Sequence, residues 1–394
     1  MFTITNPNKK PRKRTIFYRI LVPMMLVVVV QLAVYLITLS AGGIFSTVKT
    51  DIMYNFSEKV KTRQKYLVND MVDRWSNLNP TYSSVINIMD TYLEENGYSF
   101  EDIKSDAKLN EQLVLAVSDE ILSLLRNNAT TGAFVVLDGM GIKGDPNSYA
   151  GLYLRDHDPS NHSEDNSDVL LERGMSGVSR SMDISLDSYW SAAYSFEDEN
   201  ADNAAFFFKP LNAAKENLNQ KAGEKFDYWS RNFILSPPAD LEIITYSLPL
   251  INKSGDIYGV LGVELSANYV KKYLPYSEVG YGGDGIYVLG ITNDKGKTVT
   301  PIIKSGPSFG TSFKSDEKIY TAASGYPGVS TIKNGDDDTL FAGVDALRLY
   351  NSNTVFSDDV WVLMGLCKEH DILSFFTDFS KHLGIATLFA LIVG

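Results

Sequence analysis

The longest apolar run of the chain lies close to its N-terminus. From Ile20 to Val48 there is no charged side chain, and about twenty apolar residues let a helix cross the hydrocarbon core of a bilayer. Six basic residues precede the run, and the first acidic residue, Asp51, follows it. The positive-inside rule then predicts a cytoplasmic basic tail at 1–19 and a transmembrane helix at 20–42. A cleaved signal peptide is the alternative, but its apolar region is normally shorter.

A second apolar run ends the sequence. Leu383 to Gly394 holds twelve uncharged, mostly apolar residues, which are too few to cross a bilayer as a helix. Lys381 and His382 form a polar boundary just before it. We therefore interpret 383–394 as the start of a second transmembrane helix. Such a helix would return the chain to the cytoplasm, where an output domain would follow.

A long helical pattern follows the first apolar run. Its apolar residues recur at spacings of three, four or seven and are Val48, Ile52, Phe56, Val60, Leu67, Met71, Trp75 and Leu78. This is the helical period, and it predicts a long helical spine at 43–96 with an interruption at Asn79-Pro80. The apolar stripe fits a helix that packs against the outer part of the chain. It fits the seam of a homodimer equally well. A second helix is predicted at about 109–125.

Strand patterns fill most of the remaining sequence. They lie at 133–137, 152–154, 242–251, 258–265, 285–291, 297–300, 339–344 and 360–366. The strongest of them is the pair 242–251 and 258–265, which a Gly-containing loop separates, as in a hairpin. A short helix is predicted at 266–273. The polar stretch at 156–181 is predicted to be irregular.

Together these elements predict an α+β fold. The long N-terminal helix is followed by two antiparallel-sheet modules, a membrane-distal one at 97–275 and a membrane-proximal one at 276–380. An amphipathic helix at 372–379 leads into the second membrane segment. Transmembrane helices thus flank the two modules.

The charged and reactive residues exclude several functions. The chain has 48 acidic and 36 basic residues and a net charge of −12, which argues against a nucleic-acid partner. Cys367 is the one cysteine, so an intramolecular disulfide is excluded, and we interpret it as a small core residue. Four histidines and one cysteine offer no metal cluster with ligand spacing. We predict no cofactor and no metal. Residues 306–310 fit G-x-S-x-G, but no helical sequence follows them, and no motif proposes a reaction.

Two stretches carry a family resemblance. They are IITYSLPLI at 243–251 with DIYGVLGVELS at 256–266, and LRLYNSNTVF at 347–356 with VWVL at 360–363. Over roughly residues 45–380 the chain resembles the double Cache family of bacterial extracytoplasmic sensors. The resemblance implies two PAS-like modules, a small-molecule ligand in the distal one, and a location at the bacterial plasma membrane with the bulk of the chain outside. It also implies a cytoplasmic output domain of diguanylate cyclase, phosphodiesterase, histidine kinase or chemoreceptor type.

The resemblance also directs attention to a ligand site. Family members that bind amino acids carry Arg-x-Trp-Tyr followed by Tyr-x-Asp, and the corresponding stretches here are 207–214 and 228–233. The Arg is absent, and the downstream Asp is replaced near Ser236, so a cation would have to come from Lys209 or Arg231 as a single-point partner. The predicted ligand-binding residues are Phe208, Lys209, Tyr228, Trp229, Arg231, Phe233 and Tyr246.

The aromatic members of this set also have a structural interpretation. Aromatic walls with a few polar groups are typical of small-molecule pockets, but buried aromatics are also ordinary core residues. For Tyr228 and Trp229 both interpretations are open, and for Tyr246 the core is favoured. Tyr153 and Arg155 are weaker candidates, for which a surface ion pair is the alternative.

Two functions from different classes follow. The first is a membrane-bound receptor, a homodimer in which ligand binding outside shifts the helices that enter the membrane. The second is a membrane-tethered structural, adhesion or protein-binding module without signalling. The coding sequence beyond Gly394 would separate the two, since a receptor needs an output domain there.

Overall fold

The computed structural model describes residues 16–41, 44–161, 163, 165–217, 225–235, 241–280, 283–307, 317–334, 338–350, 353–372 and the positions 374, 378, 381, 382, 385 and 389. The predicted basic tail up to residue 15 lies outside the described residues. So does the second predicted transmembrane segment, apart from Ile385 and Phe389.

The first helix matches the predicted membrane anchor. Helix α1 (Ile16–Ala41) is, among the described residues, the one helix long and apolar enough to cross a bilayer. Its side chains from Ile16 to Val34 are mostly exposed, as expected for a helix whose partner is lipid. A signal sequence near an N-terminus would satisfy the same criterion of length and composition.

The predicted spine is a series of helical segments. Helix α2 (Ile44–Asn69) continues as a π-helical turn at Asp70–Trp75, and α3 (Asn79–Asn96) begins after a short break. The predicted interruption is therefore present, just before Asn79. Pro80 lies in the first turn of α3, where its missing N–H costs no hydrogen bond.

The predicted apolar stripe packs inside the chain. Phe56, Val60, Leu67, Met71 and Trp75 are buried in a core that α2 shares with the second sheet. Gly365 allows the close approach, since a Cβ there would lie 2.5 Å from a methyl of Val60. The stripe therefore joins the spine to its own module. Homodimerisation stays a prediction, but these buried residues do not supply its seam.

The distal sheet has nine strands. They are β1 (Gly132–Ile142), β2 (Asp145–Asp156), β3 (Val169–Arg173), β4 (Ser185–Ser191), β5 (Tyr194–Ser195), β6 (Tyr228–Trp229), β7 (Phe233–Ile234), β8 (Glu242–Ile251) and β9 (Ile257–Ser266). The order is β4-β3-β2-β1-β9-β8-β6, with β5 paired to β2 and β7 to β8. All pairs are antiparallel except β3 with β4. The predicted hairpin is confirmed as β8 and β9.

Helices cover both faces of this sheet. They are α4 (Ala107–Ala116), α5 (Ser118–Asn128), α6 (Ser176–Met182), α7 (Ala205–Asn217) and α8 (Ala267–Lys272), with short 3₁₀ turns at Phe100–Lys104 and Tyr276–Glu278. On one face, α3, α4 and α5 share a core with β1 and β2. On the other, α7 lies against β8 and β9, and its phenylalanines enter a second core.

Two local predictions for this region were wrong. The single helix expected at 109–125 is two helices that meet at Val117, where the backbone leaves helical geometry. The stretch expected to be irregular contains β3 and most of α6. The apolar signal of β3 is short, because only Val169 and Leu171 point into the core on the helical side.

The proximal sheet has seven strands. They are β10 (Ile286–Thr292), β11 (Thr298–Ser305), β12 (Ile319–Tyr320), β13 (Ala322–Ala323), β14 (Val329–Asn334), β15 (Asp338–Leu347) and β16 (Val360–Lys368). The order is β12-β11-β10-β16-β15-β14-β13. Residues 369–372 are helical, and most of the helix predicted at 372–379 lies outside the described residues. The predicted α+β class, with a long helix and two largely antiparallel sheets, is confirmed. The two sheets span 132–266 and 286–368, and the exact module boundaries stay a prediction.

Trp75 is the side chain whose loss we expect to weaken the junction of spine and modules most. It is fully buried, and its ring lies 5.1 Å from that of Tyr273 and 6.1 Å from that of Tyr269. Trp75→Ala should lower the free energy of unfolding by about 3–5 kcal/mol, measured by denaturation of the detergent-solubilised chain. Tyr66→Ala, at an exposed position of α2, is the control and should change it by less than about 0.5 kcal/mol. Equal effects of the two variants would contradict the assigned packing.

Candidate functional site

A cluster of buried charges lies on the face of the distal sheet that α7 covers. The Arg155 side chain forms ion pairs with Glu172 and, at 3.1 Å, with Glu264. It also donates a hydrogen bond to the Tyr153 hydroxyl at 2.9 Å. Arg155 is 4% exposed, and both glutamates are fully buried. We call Arg155, Glu172 and Glu264 the charge cluster.

The strand register brings the cluster together. Gly132 of β1 lies opposite Arg155 on β2 and opposite Glu264 on β9, so the three residues form one row across three strands. A Cβ at Gly132 would come within 2.7 Å of the Tyr153 ring and 2.9 Å of the Glu264 carboxylate. The glycine therefore leaves the space in which the two charged side chains meet.

Burial dominates the electrostatics of the cluster. Arg155 pairs with both glutamates, and a second guanidinium, that of Arg173, lies 3.6 Å from the Glu172 carboxylate. Burial raises the pKa of Glu264 to about 8, against the opposing effect of a hydrogen bond from the Thr131 hydroxyl. Buried charges are costly to retain. A strongly shifted ionisable group inside a module is therefore an indicator of a functional site.

A phenol and a guanidinium nitrogen complete the site. The Tyr194 side chain is 2% exposed, and neither its hydroxyl nor Nε of Arg155 has a hydrogen-bond partner among the described residues. Charges of the cluster lie near this phenol, and burial raises its pKa well above the ordinary value. Buried polar atoms are nearly always hydrogen-bonded. These two atoms are therefore suited to receive an additional polar group.

Aromatic rings form the cover over this part of the sheet. The Phe206 ring lies 5.0 Å from that of Phe134 and stacks on Phe233 at 5.6 Å. Tyr194 stacks on Phe196 at 6.0 Å. The site thus combines a small charged centre with a large apolar lining, which is the usual composition of a small-molecule site.

The structure separates the seven predicted ligand-binding residues. Phe208 and Phe233 belong to the aromatic cover on the α7 side. Trp229 packs against Tyr246, with ring centres 5.1 Å apart, in the core shared with the proximal sheet. The hydroxyl of Tyr246 bonds the buried carboxyl of Asp227, whose pKa is raised by burial. The set therefore does not form a single wall.

The remaining predicted residues lie at the contact between the modules. The Lys209 ammonium is 5.0 Å from the centre of the Tyr228 ring, and the half-exposed Arg231 pairs with Asp359 at 3.4 Å. Phe208 and Lys209 also line a groove of about 390 Å³ between α7 and Phe356. Ligand binding by these seven residues stays a prediction.

Only one member of the charge cluster, Arg155, was named from the sequence, and only as a weaker candidate. A surface ion pair was the alternative for Tyr153 and Arg155, and it is wrong because both side chains are buried. Glu172, Glu264 and Tyr194 were missed. The one available signal was the single acidic residue within the apolar run of β9, Ile257–Ser266, which predicts a buried carboxylate that needs a partner.

The comparisons with known proteins give similar structures but no similar sequences. No family model and no curated protein match the chain. The periplasmic sensory domain of the Campylobacter jejuni chemoreceptor Tlp1 has 12% identity and a TM-score of 0.45, covering 81% of this chain and 95% of that one. The ligand-binding domain of C. jejuni Tlp3 in complex with L-norvaline has 10% identity and a TM-score of 0.37, covering 83% and 94%.

A further similar structure comes from Pseudomonas aeruginosa PAO1. The ligand-binding domain of its amino acid chemoreceptor PctC in complex with GABA has 10% identity and a TM-score of 0.33, covering 73% of this chain and 97% of that one. All three are named as sensory or ligand-binding domains of chemoreceptors.

Glu264 predicts a pH dependence of stability. Its pKa is about 8 in the folded chain against 4.5 ordinarily. Between pH 4.5 and about pH 8 the folded state therefore keeps a proton that the unfolded state has already lost. Stability should therefore fall as the pH rises from about 4.5 to about 8, by at most about 1.4 kcal/mol per unit. Denaturation of wild type and Glu264→Gln across this range measures the effect.

The Gln variant lacks the titrating group, so its stability should fall less steeply than that of the wild type. Glu101→Gln, at an exposed carboxylate paired with Lys104, is the matched control and should keep the wild-type slope. Parallel curves for wild type and Glu264→Gln would contradict the shifted pKa.

Proposed function

We propose that this chain is the extracytoplasmic sensory part of a membrane-anchored bacterial receptor, in which the distal module binds a small molecule. The observation that carries the proposal is the charge cluster, a guanidinium shared by two fully buried carboxylates beneath an aromatic cover. A hydrophobic replacement of a buried ion pair is often neutral or stabilising. Retaining three buried ionisable groups is therefore better explained by recognition than by stability.

The cluster suits a ligand with an amino group. Burial raises the pKa of Glu264 to about 8, so this carboxyl group holds a proton at neutral pH, and a ligand cation beside it would favour the ionised carboxylate. The Tyr194 hydroxyl, which has no partner among the described residues, offers an additional hydrogen bond. The aromatic cover would take the apolar part of the molecule. Such a ligand would enter by displacing part of this cover.

A continuous set of contacts supports relay towards the membrane. Glu264 lies two residues before Ser266, whose hydroxyl caps α8 by accepting a hydrogen bond from the Tyr269 N–H at 3.2 Å. Tyr269 packs against Trp75 at the end of the π-helical turn. From there α2 runs back along the proximal sheet towards α1. A shift of β9 at the charge cluster would therefore move a helix that leads to the predicted anchor.

The wider expectations belong to the same proposal. They are anchoring through α1 in the bacterial plasma membrane, with the bulk of the chain outside, homodimerisation, and relay through a second membrane segment to a cytoplasmic output domain. The output would be of cyclase, phosphodiesterase, histidine kinase or chemoreceptor type. A structural or adhesion module is the competing function, and the same experiment separates the two.

A thermal-shift screen tests the proposal. The detergent-solubilised chain is heated with amines, amino acids, carboxylates, purines and sugars, because a ligand that binds only the folded state raises stability. We expect stabilisation by an amino compound. Tyr194→Phe should weaken binding about five- to tenfold, the value of one hydrogen bond, and Glu264→Gln should weaken it more.

The control variants locate the site. Tyr66→Phe, on the exposed face of α2, should leave binding unchanged. Trp229→Ala and Arg231→Ala should retain binding if the charge cluster is the site, and should lose it if the residues at the module contact are. No stabilisation by any compound would overturn small-molecule sensing and favour a protein partner or a structural role.

A further inference from the structure

A short segment of the distal module is bonded directly to the proximal module. Residues 225–231, here called the strap, join the distal sheet through β6, which pairs with β8. On its other side, the Lys225 N–H donates to the Asn353 carbonyl at 3.1 Å, and the Val355 N–H donates to the Lys225 carbonyl at 3.3 Å. This is a parallel bridge between Lys225 and Thr354. The strap is therefore a strand of one module and a bridge partner of the other.

Side chains extend this contact. The backbone N–H of Trp229 donates to the Tyr350 hydroxyl at 2.8 Å. The Tyr228 ring lies 4.9 Å from that of Phe356. The Trp229 and Trp361 rings are 6.4 Å apart. Each of these pairs has one member in each module, so separation of the modules at the strap would break all of them together.

The position of the strap connects two functional regions. On one side, Lys209 of α7 places its ammonium over the Tyr228 ring, and α7 carries phenylalanines of the aromatic cover. On the other side, the connection from β15 runs into β16, which begins at Val360 in the middle of the proximal sheet. The chain then continues through a helical stretch at 369–372 towards the second predicted membrane segment.

The contact combines buried aromatic rings with few polar bonds. Its bridge has two backbone hydrogen bonds, both above 3.0 Å, and its ion pair, Arg231 with Asp359, is partly exposed. The indole N–H groups of Trp229 and Trp361 are buried and have no acceptor among the described residues. Buried donors without partners are unfavourable and gain hydrogen bonds when water reaches them. Opening at the strap would hydrate both indoles.

We propose that the strap opens and closes as a unit while both sheets stay folded, and that its engagement transmits the state of the distal module to β16. It would be a connection between the modules that is separate from the helical spine and from the contact of α8 with β11. The signalling role rests on the proposed function, whereas the opening is a property of the fold itself.

Hydrogen exchange of the full detergent-solubilised chain, without any ligand, tests the opening. The amides of Lys225, Trp229 and Val355 should exchange with one common opening equilibrium and faster than the central amides of β1 and β16. Exchange of the three amides at the rate of the central strands, or at three unrelated rates, would overturn the proposal.

Two tryptophan variants make the test sharper. Trp229→Phe removes part of a fully buried ring that packs on Tyr246 and Trp361 in the closed state, so opening should be favoured and exchange at Lys225 and Val355 should speed about tenfold. Trp190→Phe is the matched control, because its partly buried ring lies elsewhere in the distal module, where its indole N–H donates to the Gly174 carbonyl at 2.9 Å. It should leave exchange at the strap unchanged, and faster exchange in both variants or in neither would contradict the argument.

A lysine variant tests the connection to α7. Lys209→Gln removes the cation above Tyr228 and should speed exchange at Lys225 and Val355 about threefold. Lys61→Gln, on the exposed surface of α2, should not change it. Because no ligand is used, a negative thermal-shift screen and a negative exchange result are independent and can be distinguished.

Discussion

The meeting of Arg155 and Glu264 across Gly132 is the constraint on which the distal module depends. Three neighbouring strands must hold one register for it, since a shift of one residue would move a charged side chain to the opposite, apolar face. The absence of a side chain at Gly132 provides the space. The row of Arg155, Gly132 and Glu264 therefore requires this register of the three strands, and the aromatic cover lies over the buried polar groups.

The spine depends on a different kind of fit. Gly343 and Gly365 lie opposite each other on β15 and β16, and both meet Val60 of α2. A helix that lies on small residues approaches a sheet closely, so its orientation is fixed by shape and by buried apolar area. Both modules thus have apolar cores, to which the distal module adds a buried charge cluster and the proximal module a close approach of helix and sheet. Trp75 joins them, since it packs on the aromatic rings of α8.

Much of the fold could be predicted from local sequence patterns. The apolar run of α1, the helical stripe of α2 and the hairpin of β8 and β9 each extend over many neighbouring residues. Such patterns can be recognised without knowing which distant residues lie nearby. The charge cluster could not be predicted in this way. Arg155 and Glu264 are far apart in sequence and each follows apolar neighbours. Only the pairing of both with Gly132 shows that they share one buried space.

The spine and the strap differ in what they can transmit. The spine is a series of helical segments whose core side chains are almost fully buried along a long contact. The strap holds through two backbone bonds and a few buried rings, and by the proposal above it can be engaged or released. With the spine held and the strap released, one module would shift relative to the other about the held side. A small displacement at the charge cluster would then become a larger one at β16.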